Sequence, residues 1–221
     1  MQEQSLHHIT WRCHDRQFYF DSPDIKVEVL KIIARYKKRY NIKIFDYVLM
    51  SNHAHFLVYV DSPTIFSDFM RAANSVIAKL INRVHRKTSQ AISDRYRSPV
   101  IQDEQYLVNT IGYVWMNPFR ANMIDMNILE DYRFSSLYTR SRGIEDPLLD
   151  DYSLLEELVG CDPTGGEGSQ KFVRDYLNRL KSEYGSFDFT SAVYEHLHSV
   201  GDEGFMRGRK SRKAWLSVGP P

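Results

Sequence analysis

His53 and His55 flank Ala54 at the start of a run of strand-forming residues that continues to Val60. In a strand, residues two apart share a face. Their Cα atoms then lie about 7 Å apart, close enough for two imidazoles to converge on one ion. Ala54, Phe56 and Val58 supply the apolar opposite face that anchors the strand. His196 and His198 repeat the spacing, but in a segment of helical periodicity, where residues two apart diverge. That second pair is not expected to grip a metal. Further along, Tyr113 and Asn117 lie four apart on a predicted helix, so both occupy one face. The Asn117 amide oxygen is a hard donor suited to Mg²⁺ or Mn²⁺. Two imidazoles and one carbonyl oxygen leave coordination positions open for a phosphate oxygen. Each piece also has a plainer reading: a surface histidine pair beside a turn, a packed tyrosine, an Asn-Pro helix end. Pro118 disfavours helical geometry at Asn117 and is expected to end or kink the helix.

The elements that must position these residues follow from the apolar spacing. His8 to Arg12 reads as a strand. Asp21-Ser22-Pro23 opens a helix, with a cap residue and Pro in the first turn. Ile25, Val29, Ile32, Ile33 and Tyr36 carry it to about Tyr40-Asn41. Ile42 to Leu49 and His53 to Val60 form a hairpin about Ser51-Asn52. Ser62-Pro63 opens a second helix with Phe66, Phe69, Met70, Ala73, Val76, Ile77, Leu80 and Ile81 on one face. Residues 95–101 are expected to be extended. Asp103 then caps the helix of Tyr113. The order of the first six elements is that of a ferredoxin-like α+β fold, an antiparallel sheet with helices packed on it. Residues 143–221 read as a helical C-terminal extension, with a Gly-rich linker at 162–169 and helices at 171–184 and 190–199.

The 221 residues carry a net charge of only +1, with 43% hydrophobic residues. The charge is segregated, however. Residues 29–45 hold six basic side chains and no acidic one; residues 125–162 hold ten acidic side chains against three arginines. Segregation of this kind suits a polyanionic partner on one face. Two cysteines, Cys13 and Cys161, argue against a disulfide framework and a cysteine-based zinc site. Residues 1–10 hold no apolar signal core, and no apolar run is long enough to span a bilayer. A cytoplasmic, nucleoid-associated protein without a membrane partner is expected.

The string from Val48 through Ser51-Asn52-His53-Ala54-His55 to Val58 resembles the HUH motif of single-tyrosine transposases. Tyr113 to Asn122, with Asn117-Pro118-Phe119-Arg120, resembles their tyrosine helix, and Asp131 to Ser136 their following segment. The resemblance covers about residues 6–142 and is nearest the REP-associated tyrosine transposases. Ala54 departs from the bulky apolar residue usual between the histidines. It faces away from the ion, so no loss of chemistry is expected.

The resemblance implies a domain at 1–142 that nicks and rejoins single-stranded DNA beside hairpins. His53, His55 and Asn117 would hold a divalent cation, Mg²⁺ or Mn²⁺, and Tyr113 would attack phosphorus to give a 5′-phosphotyrosine link and a free 3′-hydroxyl. An isolated tyrosine has a pKa near ~10 and needs activation; the metal field is one source. Tyr106, on the same helical face, is the second choice of nucleophile, and Tyr96 and Tyr138 are candidates for stacking on bases. DNA contacts are expected from Arg12, Arg16, Arg71, Lys79, Arg83, Arg86, Lys87, Arg95 and Arg97. The basic segment 207–213 is expected either to grip the duplex stem or to brace the sheet. A monomer working in cis is favoured over a dimer. Two other readings remain: a hairpin-binding regulator without chemistry, and a metallohydrolase using metal-bound water.

Overall fold

The computed structural model describes residues 1–93 and 96–184. Three strands, β1 (Ser5–Arg12), β2 (Lys43–Leu49) and β3 (His53–Val60), form an antiparallel sheet in the order β1-β3-β2. The β2–β3 hairpin closes at residues 50–52, where the Met50 amide donates to the His53 carbonyl at 2.8 Å. β1 runs three residues further toward the N-terminus than expected, because Ser5, Leu6 and His7 pair with Val60, Tyr59 and Val58.

Helix α1 (Pro23–Tyr40) begins with Pro in its first turn and stops at Asn41, whose φ of 52° is left-handed. Three cations, Lys37, Lys38 and Arg39, sit in its last turn, where the helix dipole favours them. Helix α2 (Pro63–Val84) carries the apolar stripe Phe66, Phe69, Met70, Ala73, Ile77 and Ile81. Both helices pack on the sheet face lined by Ile9, Trp11, Ala54, Phe56 and Val58.

The opposite face belongs to helix α3 (Glu104–Arg120), whose Leu107, Ile111, Val114 and Trp115 pack with Leu6, Val48 and Leu57. Asp103 caps α3 by accepting from the Tyr106 amide at 2.8 Å. The helix continues through Pro118 to Arg120, two residues beyond the expected break. So near the C-terminus Pro118 removes only one intrahelical bond, and the Ala121 amide still reaches the Asn117 carbonyl at 3.0 Å.

The expected fourth strand is reduced to isolated bridges along the free edge of β1: His7 with Val100, Thr10 with Arg97 and Cys13 with Ile92. Thr10 and Arg97 exchange both backbone bonds at 2.9 Å, and the His8 amide reaches the Pro99 carbonyl at 3.0 Å. Pro99 has no N–H to return, so the ladder breaks there.

Beyond α3, helices α4 (Ser136–Ser141), α5 (Ser153–Val159) and α6 (Ser169–Tyr184) follow. Tyr152, Leu155, Val173, Tyr176 and Leu177 join the same core as α3. Gly112 permits this closeness, since a Cβ there would collide with the Tyr176 hydroxyl. Residues 162–168 form hydrogen-bonded turns, with the Asp162 carboxylate accepting from the Thr164 amide at 2.8 Å and the Gly166 amide at 2.6 Å. The expected helix at 190–199, His196, His198, Arg95 and the basic segment 207–213 lie outside the described residues.

A bulge in β2 between Ile44 and Asp46 turns both Phe45 and Asp46 toward α3. There the buried Asp46 carboxylate accepts from Trp115 Nε1 at 2.9 Å and from the hydroxyls of Ser136 and Tyr152. The Arg140 guanidinium lies over the Tyr152 ring at 3.9 Å and donates to the Phe45 carbonyl at 2.6 Å. β2, α3, α4 and the segment before α5 are thus tied at one buried polar cluster.

Candidate active site

Strand alternation places His53 and His55 on the face of β3 that looks toward α3, with Leu57 of the same face in the α3 core. Thr10 of β1 and Val48 of β2 lie opposite His55, and Arg12 lies opposite His53. His55 is fully buried, and its ring stands perpendicular to that of His53 with centroids 5.0 Å apart. Tyr113, only 2% exposed, meets the His55 ring edge-on at 5.3 Å. Two histidines from the hairpin and a tyrosine 58 residues beyond His55 in the chain are therefore brought to one point.

The ring nitrogens of the pair are differently committed. His53 Nδ1 lies 2.6 Å from Asn52 Oδ1, an acceptor, so Nδ1 carries the proton and the lone pair is on Nε2. The Asn52 amide nitrogen is itself turned to the Arg16 carbonyl at 3.1 Å, which holds its oxygen toward His53. His55 Nδ1 has two neighbours, His8 Nε2 at 2.9 Å and Thr10 Oγ1 at 3.3 Å. His55 Nε2 is buried with no hydrogen-bond partner. Burial above all holds His55 well below the usual histidine range. The neighbouring His8 and His53 and the guanidiniums of Arg12 and Arg120 add to this. A histidine kept neutral with one orphaned ring nitrogen is in the form that ligates metal.

Asn117 is nearly buried on α3, and its amide nitrogen donates to the Tyr113 carbonyl at 2.7 Å. That commitment leaves the amide oxygen as the atom with ligand chemistry. Among the described residues no three His, Cys, Asp or Glu side chains gather as a metal site. A cation at the histidine pair would need another donor type, and an amide oxygen is such a donor. The residues present fit a divalent ion on these grounds.

Three residues at this point were not singled out from the sequence. His8 stacks on His55 with centroids 5.0 Å apart and meets Tyr113 edge-on at 5.5 Å. Thr10 touches His55 Nδ1. The Arg120 guanidinium lies 4.6 Å above the Tyr113 ring. Alternation along β1 contained the signal for the first two. His8, Thr10 and Arg12 alternate with Ile9 and Trp11, and an antiparallel partner beside His55 would make one face of them. Arg120 is seven residues after Tyr113, hence on the same helical face.

The other expected contacts are scattered. Arg12, Arg16 and Arg97 lie along β1, the turn after it and its edge partner. Arg71, Lys79 and Arg83 are exposed on α2, the helix packed on the other sheet face, where Arg71 pairs with Asp68 at 2.8 Å. Arg86 and Lys87 follow α2, with the Lys87 ammonium over the Tyr19 ring at 4.9 Å. Tyr96 packs against Phe66 at 5.3 Å, and Tyr138 lies beneath the Arg142 guanidinium at 4.2 Å. Tyr106 is half-buried, and its carbonyl accepts from the Thr110 hydroxyl at 2.7 Å.

A family model described as "Transposase IS200 like" matches residues 2–131, more than half of the chain. A solved structure of a REP-associated tyrosine transposase bound to a REP hairpin is similar at a TM-score of 0.52 and 16% identity. The match covers 67% of this chain and 87% of that one. Its fold, an antiparallel sheet with helices packed on it, is the fold seen here. No curated protein matches.

Proposed function

Since the chain belongs to the IS200-like transposase family, we propose that it nicks and rejoins single-stranded DNA beside a hairpin, with Tyr113 as nucleophile. The observation that carries this reading is the meeting of His53, His55 and Tyr113 within one chain. His53, His55 and Asn117 would hold a divalent cation, Mg²⁺ or Mn²⁺, with the lone pair of His53 and the orphaned Nε2 of His55 as nitrogen donors. When bound, such an ion polarises the scissile phosphate and offsets developing charge.

The remaining chemistry is done by the chain itself. The Tyr113 oxygen forms a bond to phosphorus while the bond from phosphorus to the 3′ oxygen breaks. The departing oxygen takes up a proton and becomes a 3′-hydroxyl; the phenol gives up its own proton. The resulting 5′-phosphotyrosine link conserves the energy of the broken bond, so attack by another 3′-hydroxyl rejoins DNA without a nucleotide cofactor. The Arg120 guanidinium over the Tyr113 ring would offer positive charge to an entering phosphate. The hairpin as substrate is inferred by likeness to the solved neighbour, whose own ligand is a REP hairpin. Residues 1–142 would carry this chemistry, and α5 and α6 would brace α3 from the segment that follows.

A nicking assay tests the reading, using hairpin DNA with a single-stranded flank and Mn²⁺. Wild type should form a covalent protein–DNA adduct that Tyr113→Phe lacks. EDTA should abolish it. Tight hairpin binding by wild type without any adduct would favour a regulator. Cleavage that survives Tyr113→Phe but not His53→Ala would favour a metal-activated water.

A further inference from the structure

We propose that His8 is a positioning residue for His55, holding it in the tautomer whose Nε2 is unprotonated. The inference rests on the reading of His53 and His55 as cation ligands and adds a residue outside both motifs that suggested it.

Strand pairing creates the contact. Thr10 lies opposite His55 and His8 opposite Leu57, so His8 is the diagonal neighbour of His55 on the α3 face. His8 is 1% exposed. Its Nε2 lies 2.9 Å from His55 Nδ1, with the rings 21° from parallel. A neutral imidazole has one N–H and one lone pair. Of two nitrogens in contact, one must donate and the other accept. The environment of His55 decides which. Both of its polar neighbours, His8 Nε2 and the Thr10 hydroxyl, gather at Nδ1, whereas Nε2 is buried with no partner. A proton on Nε2 would be a buried unsatisfied donor, which is costly. A proton on Nδ1 is received by His8, and the Nε2 lone pair is left to point where a cation would sit. His8 therefore accepts at Nε2 and carries its own proton on Nδ1.

 The alternative is that His8 only fills space as a stacked ring.

Isothermal titration of the full-length protein with Mn²⁺ alone, without DNA, separates the two. His8→Phe keeps a ring against His55 but loses the acceptor, and should weaken Mn²⁺ binding about 10- to 100-fold. His8→Gln, which returns an acceptor, should recover most of the affinity. Imidazole ¹⁵N–¹H correlation spectra of the metal-free wild type give a reading independent of any variant: His55 should show a protonated Nδ1 and a bare Nε2. Unchanged Mn²⁺ affinity in His8→Phe, or a protonated Nε2 in wild type, would overturn the proposal. Mn²⁺ affinity that survives His55→Ala would instead overturn the metal reading alone, with the wild-type tautomer still deciding for or against His8.

Discussion

The ring of Tyr113 stands edge-on to the imidazole of His55 with centroids 5.3 Å apart, and both belong to one chain. No exchange of α3 between copies is needed to complete the site. The expectation is catalysis in cis. Mixing His53→Ala protein with Tyr113→Phe protein should restore no adduct, because neither chain holds both halves. Recovery of adduct in the mixture would show that the tyrosine helix can serve a partner's histidines.

The positions of the cations predict unequal contributions to DNA binding. Arg12 and Arg120 flank the site, one opposite His53 in the sheet and one over Tyr113. Arg71, Lys79 and Arg83 lie on α2, which packs on the other face of the sheet. Arg12→Ala and Arg120→Ala should each weaken hairpin binding and lower the salt slope of log affinity by about 1. Alanine at Arg71, Lys79 or Arg83 should change the slope by less. Fluorescence anisotropy across a salt series reads both.

Asp46 anchors α3 to the sheet through Trp115, two residues from Tyr113. Asp46→Ala leaves the Trp115 indole and the Tyr152 hydroxyl without their acceptor, Ser136 with only the Tyr47 carbonyl, and Arg140 without the Asp46 counter-charge. A loss of about 3–5 kcal/mol is expected in urea unfolding. Asp46→Asn retains one acceptor oxygen and should lose less. Equal losses would show that the negative charge, rather than the hydrogen bonds, holds the cluster.

Burial pushes the Cys13 thiol up to about 12, against a smaller opposing effect of a backbone hydrogen bond with Tyr19. The folded protein therefore keeps this proton in a pH range where the unfolded chain, ionising near 9, gives it up. The associated stability is complete below pH 9 and is lost as pH rises toward 12. Cys13→Ala should lose stability less steeply over this alkaline window, as read by thermal melts. Native Cys13 should also resist iodoacetamide at pH 9, while the less buried Cys161 reacts first.

Much of the site's frame was readable in the residues because its signals are local. Turn residues at 51–52 set the hairpin, period-two alternation put His53 and His55 on one face, and Asp103 marked the start of α3. The limits of α1 followed from Pro23 and Asn41 in the same way. The fourth strand was overstated, since one missing N–H at Pro99 breaks a ladder that residue preferences alone would allow. The effect of Pro118 was overstated too, because a proline so near a helix end removes little.

The chain order alone determined which residues could carry chemistry: a histidine pair on a strand, a tyrosine and an asparagine on one helical face. Only the tertiary structure decided that α3 lies on the sheet face opposite α1 and α2, and so meets those histidines. It alone brought His8, Thr10 and Arg120 to the same point. Periodicity tells which side of an element is apolar, but both sides of this sheet are buried. Which helix covers which side depends on contacts between residues far apart in the chain, and these leave no local pattern.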